Sequence, residues 1–592
     1  MLHARMNITR MNITSNRPEA SKANGASLDH NLLPFISVGF LAILLYVKLL
    51  PKPLPGIPHT KNVTRSLFGD TIPMLRYRRK TNQLYDWFRY EAERIGSPII
   101  QLFPAPFSKS LVILTDFQEA YDIMARRTPR EFDRGQFGPE LFDGLLPDHH
   151  LNQTTNEVWK ANRYLVNGLM SPSFLNNIAA PQVYHALSEL VGLWERKTQL
   201  SNGLPFAVAT DVCHTALDGL WAFTFGPAGG KGASHTARES LQAVRQVSLS
   251  GNTATFAEWR SSDLPPTLQA VLTMTERLGW VASSPFPRPT HWLISCLPAQ
   301  RKAHRIKEDF IKDQLDKTVE RLDLNDPEAQ PKITCAIDYI LHREHSNAAK
   351  QGRPPNYYSR VIFDEIFGFL VAGHDTSSTA FTWMLKYLTA NPTVQSTLRA
   401  ALHKAFPSAL AEHRPPSATE ITISASQITY LSAVMREALR LGTVAPILSR
   451  STTAEVTILG HVIPKNTTVF ILNNGPGMVQ PATPLALGMN RTTQGKRETA
   501  PWAADDVCLF RPERWLDAEG KFDENAGPFL AFGAGPRGCY GRKLAYMTME
   551  MMMVLVVWRF ELLDVGEELG GFEAIDILTH RPKNCFVRLR EL

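Results

Sequence analysis

Phe532-Gly-Ala-Gly535-Pro-Arg537-Gly-Cys539-Tyr-Gly541 is the stretch on which the reading of this 592-residue chain turns. It is a glycine-rich loop with one cysteine and one arginine, and residues 542–561 after it read as a helix. Cys539 therefore stands just before a helix N-terminus, where unpaired N–H groups favour a thiolate. Nearby glycines let the backbone approach a flat ligand closely. Arg537 is placed to pair with a carboxylate, and Phe532 to pack beside the sulfur and limit water. Composition bounds what surrounds this loop. Lys+Arg 63 against Asp+Glu 56 leaves +7, and 44% hydrophobic with 20% charged residues excludes a disordered or low-complexity chain. That charge is too dilute for a nucleic-acid binder, and no nucleic-acid partner is expected. The six cysteines, at 213, 296, 335, 508, 539 and 585, include no C-x-x-C pair, which argues against a disulfide framework and the usual zinc pairs.

Other motifs lie upstream. Ala372-Gly373-His374-Asp375-Thr376 sits in a helical stretch at 361–388, where a threonine can bond a helix carbonyl and an aspartate can serve as a proton-relay acid. Glu437-Ala-Leu-Arg440 puts an acid and a base on one helix face, and Phe510-Arg-Pro512-Glu-Arg514-Trp515 follows downstream. Trp159-Lys-Ala-Asn-Arg163 aims two side chains one way along a helix. Arg450 lies 13 positions before Ile463-Pro464. Further helix-like stretches are 81–95, 116–127, 183–198, 304–322 and 427–441. Strand-like ones are 99–103, 111–115, 456–459 and 468–472. Segments 226–233, 343–355 and 475–504 are weakly patterned, and the last, rich in Gly, Pro, Asn and Thr, reads as a long loop.

Taken in order, these motifs resemble the cytochrome P450 family over residues 50–592. The resemblance implies a mainly α fold with small β-sheets in which Cys539 is the axial thiolate of haem b. Arg537, Trp159, Arg163 and Arg450 would bind the propionates, with Phe532, Gly535 and Gly541 shaping the cofactor loop. Glu437, Arg440 and Arg514 would form a buried structural cluster. Gly373 would leave room for O2, and Asp375 and Thr376 would deliver protons. His374 is read as pocket or relay wall, not a ligand, and the methionines at 547, 549 and 551–553 as core packing. One departure is the long 475–504 segment, which replaces the short H-x-D-P-type segment of many members.

The implied activity is a haem-thiolate monooxygenase that hydroxylates or further oxidises a lipophilic small molecule. It would use O2 and NADPH electrons delivered by a reductase, with cytochrome b5 as a second candidate donor, in fungal secondary metabolite biosynthesis. The weighed alternatives are an O2-independent isomerase or dehydratase, a xenobiotic or fatty-acid hydroxylase, and a non-catalytic haem sensor. By family analogy the pocket is walled by 132–150, 204–289, 367–369, Val371, 444–448 and 575–579. Basic Lys160, Arg542 and Lys543 would attract the electron donor.

The N-terminus divides into a polar tail (1–30), a transmembrane anchor (31–50) and a Pro-rich linker (51–59) before the catalytic domain (60–592). Residues 32–50 carry a single charge, Lys48, and 19 residues of helix reach about 28 Å. A cleaved signal peptide is the alternative, disfavoured by the long polar lead and the lack of an A-x-A site. The expected location is the endoplasmic reticulum membrane, single-pass, with a cytosolic catalytic domain and membrane lipid as partner. Asn7 and Asn12 lie in N-x-T sequons, candidate glycan acceptors if lumenal.

Overall fold

The computed structural model describes residues 33–592 apart from 136, 243, 245–254, 260–261, 285, 324–331 and 493–498. The polar tail, with Asn7 and Asn12, lies outside the described residues. Two units are distinct, Met1–Leu50 and Pro51–Leu592.

In the first unit a helix covers Leu33–Leu49. Its apolar side chains, Val38, Phe40, Leu41, Ile43 and Leu44 among them, are exposed. Its 17 residues reach about 26 Å at 1.5 Å per residue, and residues 31 and 32 of the expected anchor lie outside the described residues. Among the described residues no helix is long and apolar enough to cross a membrane.

The Pro-rich segment is part of the second unit and is not a free linker. Gln101 Nε2 donates to the carbonyls of Leu54 and Ile57, both at 2.8 Å, and Leu54 N–H returns a bond to Gln101 Oε1 at 2.8 Å. Ile57 is buried. This segment is laced to the edge strand Ile99–Leu102.

That strand opens a five-stranded sheet with spatial order Ile99–Leu102, Leu111–Leu114, Thr468–Leu472, Ile447–Thr452, Phe132–Asp133. The second and third strands run parallel; the other pairs are antiparallel. Side chains alternate between faces. Ile99, Val112, Leu114, Val469 and Ile471 enter one apolar cluster, and Ile100, Leu102, Leu111, Ile113, Phe470 and Leu472 enter another with Trp87 and Phe88. With both faces covered, the strands read as unbroken apolar runs. The last pairing sets Asp133 opposite Ser451, which brings the backbone at 134 beside Arg450.

The rest is mainly helical, and the largest core gathers around the helix Arg360–Ala390. Ser359 Oγ caps it by accepting Ile362 N–H at 3.4 Å, and Asn391-Pro392 ends it. The helix Ala209–Phe225 lies alongside. A Cβ on Gly373 would stand 2.7 Å from Leu220 of that neighbour. The neighbouring helix thus crowds Gly373 through the Leu220 side chain. His374 is buried, its Nδ1 2.6 Å from its own helix's Leu370 carbonyl. Phe367 and Val371 are also fully buried and do not wall a pocket. Residues 343–350, weakly patterned in the sequence, belong to the helix Ala336–Lys350. Their polar run hides a helix held by Ile337, Ile340, Leu341 and Ala348, all buried. Met547, Met549 and Met551–Met553 are buried on the helix Arg542–Arg559.

Glu437, fully buried, gathers the motifs at 437–440 and 510–515. Arg440 reaches it with Nε and one terminal nitrogen, both at 2.8 Å, Arg514 Nε at 2.9 Å, Trp515 Nε1 at 2.9 Å and Arg511 N–H at 3.2 Å. Arg440 also donates to the Met478 carbonyl at 2.6 Å. This ties part of the 475–504 segment beneath the cluster. Further along that segment Arg491 pairs with Asp116 at 2.9 Å. Glu437→Leu strips the buried Arg440 of its carboxylate partner and leaves Arg514 with Asp506 alone; it is expected to cost about 3–5 kcal/mol, read as a lowered urea midpoint at unchanged m.

Candidate active site

The cysteine loop is closed by its own backbone. Cys539 N–H donates to the Phe532 carbonyl at 2.8 Å, Gly533 N–H to Leu530 at 2.8 Å and Gly538 N–H to Gly535 at 3.0 Å. Gly533 and Gly535 hold φ of 64° and 68°, the left-handed region open to glycine. A Cβ on Gly535 would also collide with the Met124 carbonyl, so the loop is pressed onto the segment Ile123–Arg127. At Gly541 a Cβ would meet nothing within 4 Å; protein packing does not explain the glycine there. The Phe532 ring stacks toward Tyr546 at 5.0 Å.

Cys539 is exposed, yet burial in the surrounding protein pushes its thiol pKa up, so it faces an enclosed space and not open solvent. The N–H groups of Gly541 and Arg542 at the helix start and the charge of Arg163 pull the other way, toward the thiolate.

Four guanidinium groups crowd around this loop. Arg537 donates to the Gln153 carbonyl at 2.8 Å and lies over the Trp159 ring at 4.9 Å. Arg163 lies over Tyr540 at 4.1 Å and Trp159 at 5.8 Å. Asn156 caps the helix Glu157–Val166 that carries this pair, accepting Trp159 N–H at 3.0 Å. Arg450 comes from the sheet, and Arg134, not among the residues expected above, directly follows its edge strand Phe132–Asp133. Burial lowers the pKa of all four, Arg134 to about 9 and Arg450 and Arg537 to about 10. The charges of Arg537 and Arg450 add to the shift at Arg134. Against them stand Asp133 and the buried Glu365.

Arg134 Nε and Arg450 Nε are buried without a hydrogen-bond partner. Unsatisfied buried donors of this kind cost free energy unless a ligand completes them. Two carboxylates of a porphyrin supply what is missing, in charge and in acceptors. The donor set therefore fits haem, with Cys539 as the sulfur ligand and these arginines as the propionate clamp. No motif marks Arg134, because it follows a strand only two residues long, which carries no periodicity.

His149, His150 and Glu365 bring three buried ligand-type atoms within 4.8 Å of one another. They form a hydrogen-bonded clamp, not a metal cage. Leu151 N–H donates to His149 Nδ1 at 3.0 Å, which leaves the His149 Nε2 proton facing Glu365 Oε2 at 3.4 Å. His150 Nδ1 and its backbone N–H reach the same carboxylate at 2.7 and 2.8 Å. Burial drives the His149 pKa down to about 3, and the nearby guanidinium groups of Arg134, Arg163 and Arg537 oppose any added dication. The clamp ties the turn before Trp159 to the central helix.

On that helix Ala372 is exposed amid buried neighbours. Thr376 Oγ1 donates to its carbonyl at 2.9 Å, the local bond expected of this residue. Asp375 turns elsewhere, its Oδ2 accepting from Thr579 Oγ1 at 2.9 Å. The structure does not join the two relay side chains directly.

A cysteine at a helix start beside a cluster of half-buried to buried arginines, with an exposed alanine and a threonine on the central helix, is the donor set of a haem-thiolate oxygenase type of site. Comparison with known proteins agrees. The Cytochrome P450 family model matches residues 73–475 and 508–584. Its gap falls on the segment at which the sequence departs from the usual pattern. Cytochrome P450 monooxygenase TRI13 of Fusarium sporotrichioides is 33% identical over 93% of this chain and 97% of its own length. Cytochrome P450 monooxygenase xilC of Penicillium crustosum is 33% identical over 96% and 98%, and GME11363 of Pestalotiopsis microspora 33% over 92% and 96%. The chain belongs to the cytochrome P450 family. It is an enzyme, a monooxygenase of that family.

Arg134→Gln and Arg450→Gln each remove one clamp charge. Each is expected to weaken haem retention about tenfold, one lost charge-assisted bond, read as the haem-to-protein ratio after dilution and gel filtration.

Proposed function

We propose that this monooxygenase hydroxylates or further oxidises a lipophilic small molecule in fungal secondary metabolite biosynthesis. The observation that carries the site assignment is the buried, incompletely bonded arginine clamp beside Cys539. The lipophilic substrate rests on the apolar run Val444-Ala445-Pro446-Ile447-Leu448. The biosynthetic setting rests on fungal relatives, one of which is named a cluster enzyme, the Hps1-dma1 cluster cytochrome P450 monooxygenase of Dothistroma septosporum, 35% identical over 48% of this chain.

Bound haem iron supplies the activation of O2 and the transfer of one oxygen atom to substrate. This chain's residues do the rest. Cys539 ligates the iron, while Arg134, Arg163, Arg450 and Arg537, with Trp159, hold the propionates. Asp375 Oδ2 accepts and passes protons, and Thr376 Oγ1 holds one at the exposed stripe of the central helix. Electrons from NADPH arrive through a reductase docked near exposed Lys160, Arg542 and Lys543, with cytochrome b5 a second donor. An intact Asp375–Thr376 pair disfavours an O2-independent isomerase.

The enzyme sits at the endoplasmic reticulum membrane with its body in the cytosol. The exposed apolar helix Leu33–Leu49 supports this, as do Phe68, Ile72 and Leu75 exposed beside basic Arg76, Arg79 and Lys80.

The reduced protein with carbon monoxide is expected to show the red-shifted band of thiolate-ligated haem, and Cys539→Ser to lose it. A histidine-type band in the unsubstituted protein overturns the assignment. Thr376→Ala is expected to keep haem while diverting NADPH electrons into peroxide, about tenfold by its lost proton donor. Unchanged coupling refutes the relay.

A further inference from the structure

The C-terminal turn between strands Ala574–Asp576 and His580–Pro582 is held by several surrounding elements. Asp576 Oδ2 accepts Tyr85 N–H at 2.6 Å, and Asp576 N–H donates to Asn82 at 3.0 Å. His580 N–H donates to Val444 at 3.1 Å, and Trp383 Nε1 to the His580 carbonyl at 2.9 Å. Ile577 occupies the space over Gly279, where a Cβ would overlap it, on the helix Pro266–Ala282. At the tip stands Thr579, 2% exposed.

Thr579 Oγ1 donates to Asp375 Oδ2 at 2.9 Å. Its only proton is thereby used, so at its 2.9 Å contact with Thr379 Oγ1 it must accept. Asp375 and Thr379 are i and i+4 on the central helix, so both face the turn. The order of donation runs Thr379, Thr579, Asp375, and it selects one carboxylate rotamer. Ile577 and Val444 belong to the stretches assigned above to the substrate chamber. The device that aims the acid is therefore built on the walls a substrate would press.

We propose that Thr579 is a positioning residue for Asp375, holding its carboxylate in the proton-delivering orientation and linking that orientation to the substrate walls. This rests on the reading of Asp375 as relay acid. Held geometry, not new chemistry, is what the hydroxyl supplies.

The test uses the full-length haem-loaded enzyme with its reductase and substrate. Thr579→Val, Thr579→Ser and Asp375→Asn are compared for the share of NADPH electrons lost to peroxide. The C–O stretch of the carbon monoxide complex is recorded as well, a readout without turnover. Thr579→Val is expected to raise the peroxide share about fivefold, the effect of one lost hydrogen bond, and to shift or broaden the C–O band. Thr579→Ser restores both, and Asp375→Asn uncouples at least as much as Thr579→Val. If Asp375→Asn leaves coupling unchanged, the relay reading itself fails. If Asp375→Asn uncouples while Thr579→Val matches the unsubstituted enzyme in both readouts, the positioning role is overturned and the relay stands. Should Thr579→Val not fold, Thr379→Val removes the donor that orients Thr579. A smaller shift in the same direction then supports the proposal, and no shift refutes it.

Discussion

Four guanidinium groups held out of water against two carboxylates form the constraint around which this molecule is arranged. Like charges gathered in a low-dielectric site repel, and burial lowers the pKa of each. Such a cluster persists only if rigid elements force it together and a ligand offsets it. Here the forcing elements are independent: a two-residue strand carrying Asp133 before Arg134, a strand carrying Arg450, a capped helix carrying Arg163 and the cysteine loop carrying Arg537. The sheet register, Asp133 opposite Ser451, fixes the first two. The His149–His150–Glu365 clamp fixes the approach to the third.

The Glu437 hub serves the opposite purpose. Its carboxylate accepts from two arginines, an indole and a backbone N–H, so it is saturated by the protein alone. Two buried ionic clusters thus differ in completeness. The complete one stabilises the core beneath the cysteine helix; the incomplete one awaits anionic groups from outside the chain. That difference, more than the motifs, separates a structural cluster from a binding site.

Much of the site was legible in the chain because its residues are spaced by local geometry. Cys539 and its glycines, the i, i+3 pair Glu437–Arg440 and the i, i+4 pair Trp159–Arg163 each fit one loop or helix face. The motif around Gly373 is silent about which side of the helix each residue faces, and the contact with Leu220 comes from another helix. Arg134, Glu365 and Thr579 were missed for the same reason. Each acts through a partner 200 or more positions away.

By itself the sequence determined the family, the mainly helical class, the cysteine loop around Cys539 and the adjacent pair Asp375–Thr376, since each is written in contiguous residues. Tertiary structure alone decided which arginines gather around the cysteine loop, that the Pro-rich segment is laced to the sheet, that the side chains of Leu33–Leu49 are exposed, and that Asp375 is bonded to a turn near the far end of the chain. These depend on strand register and helix contacts, which pair residues by space and leave no pattern along the chain.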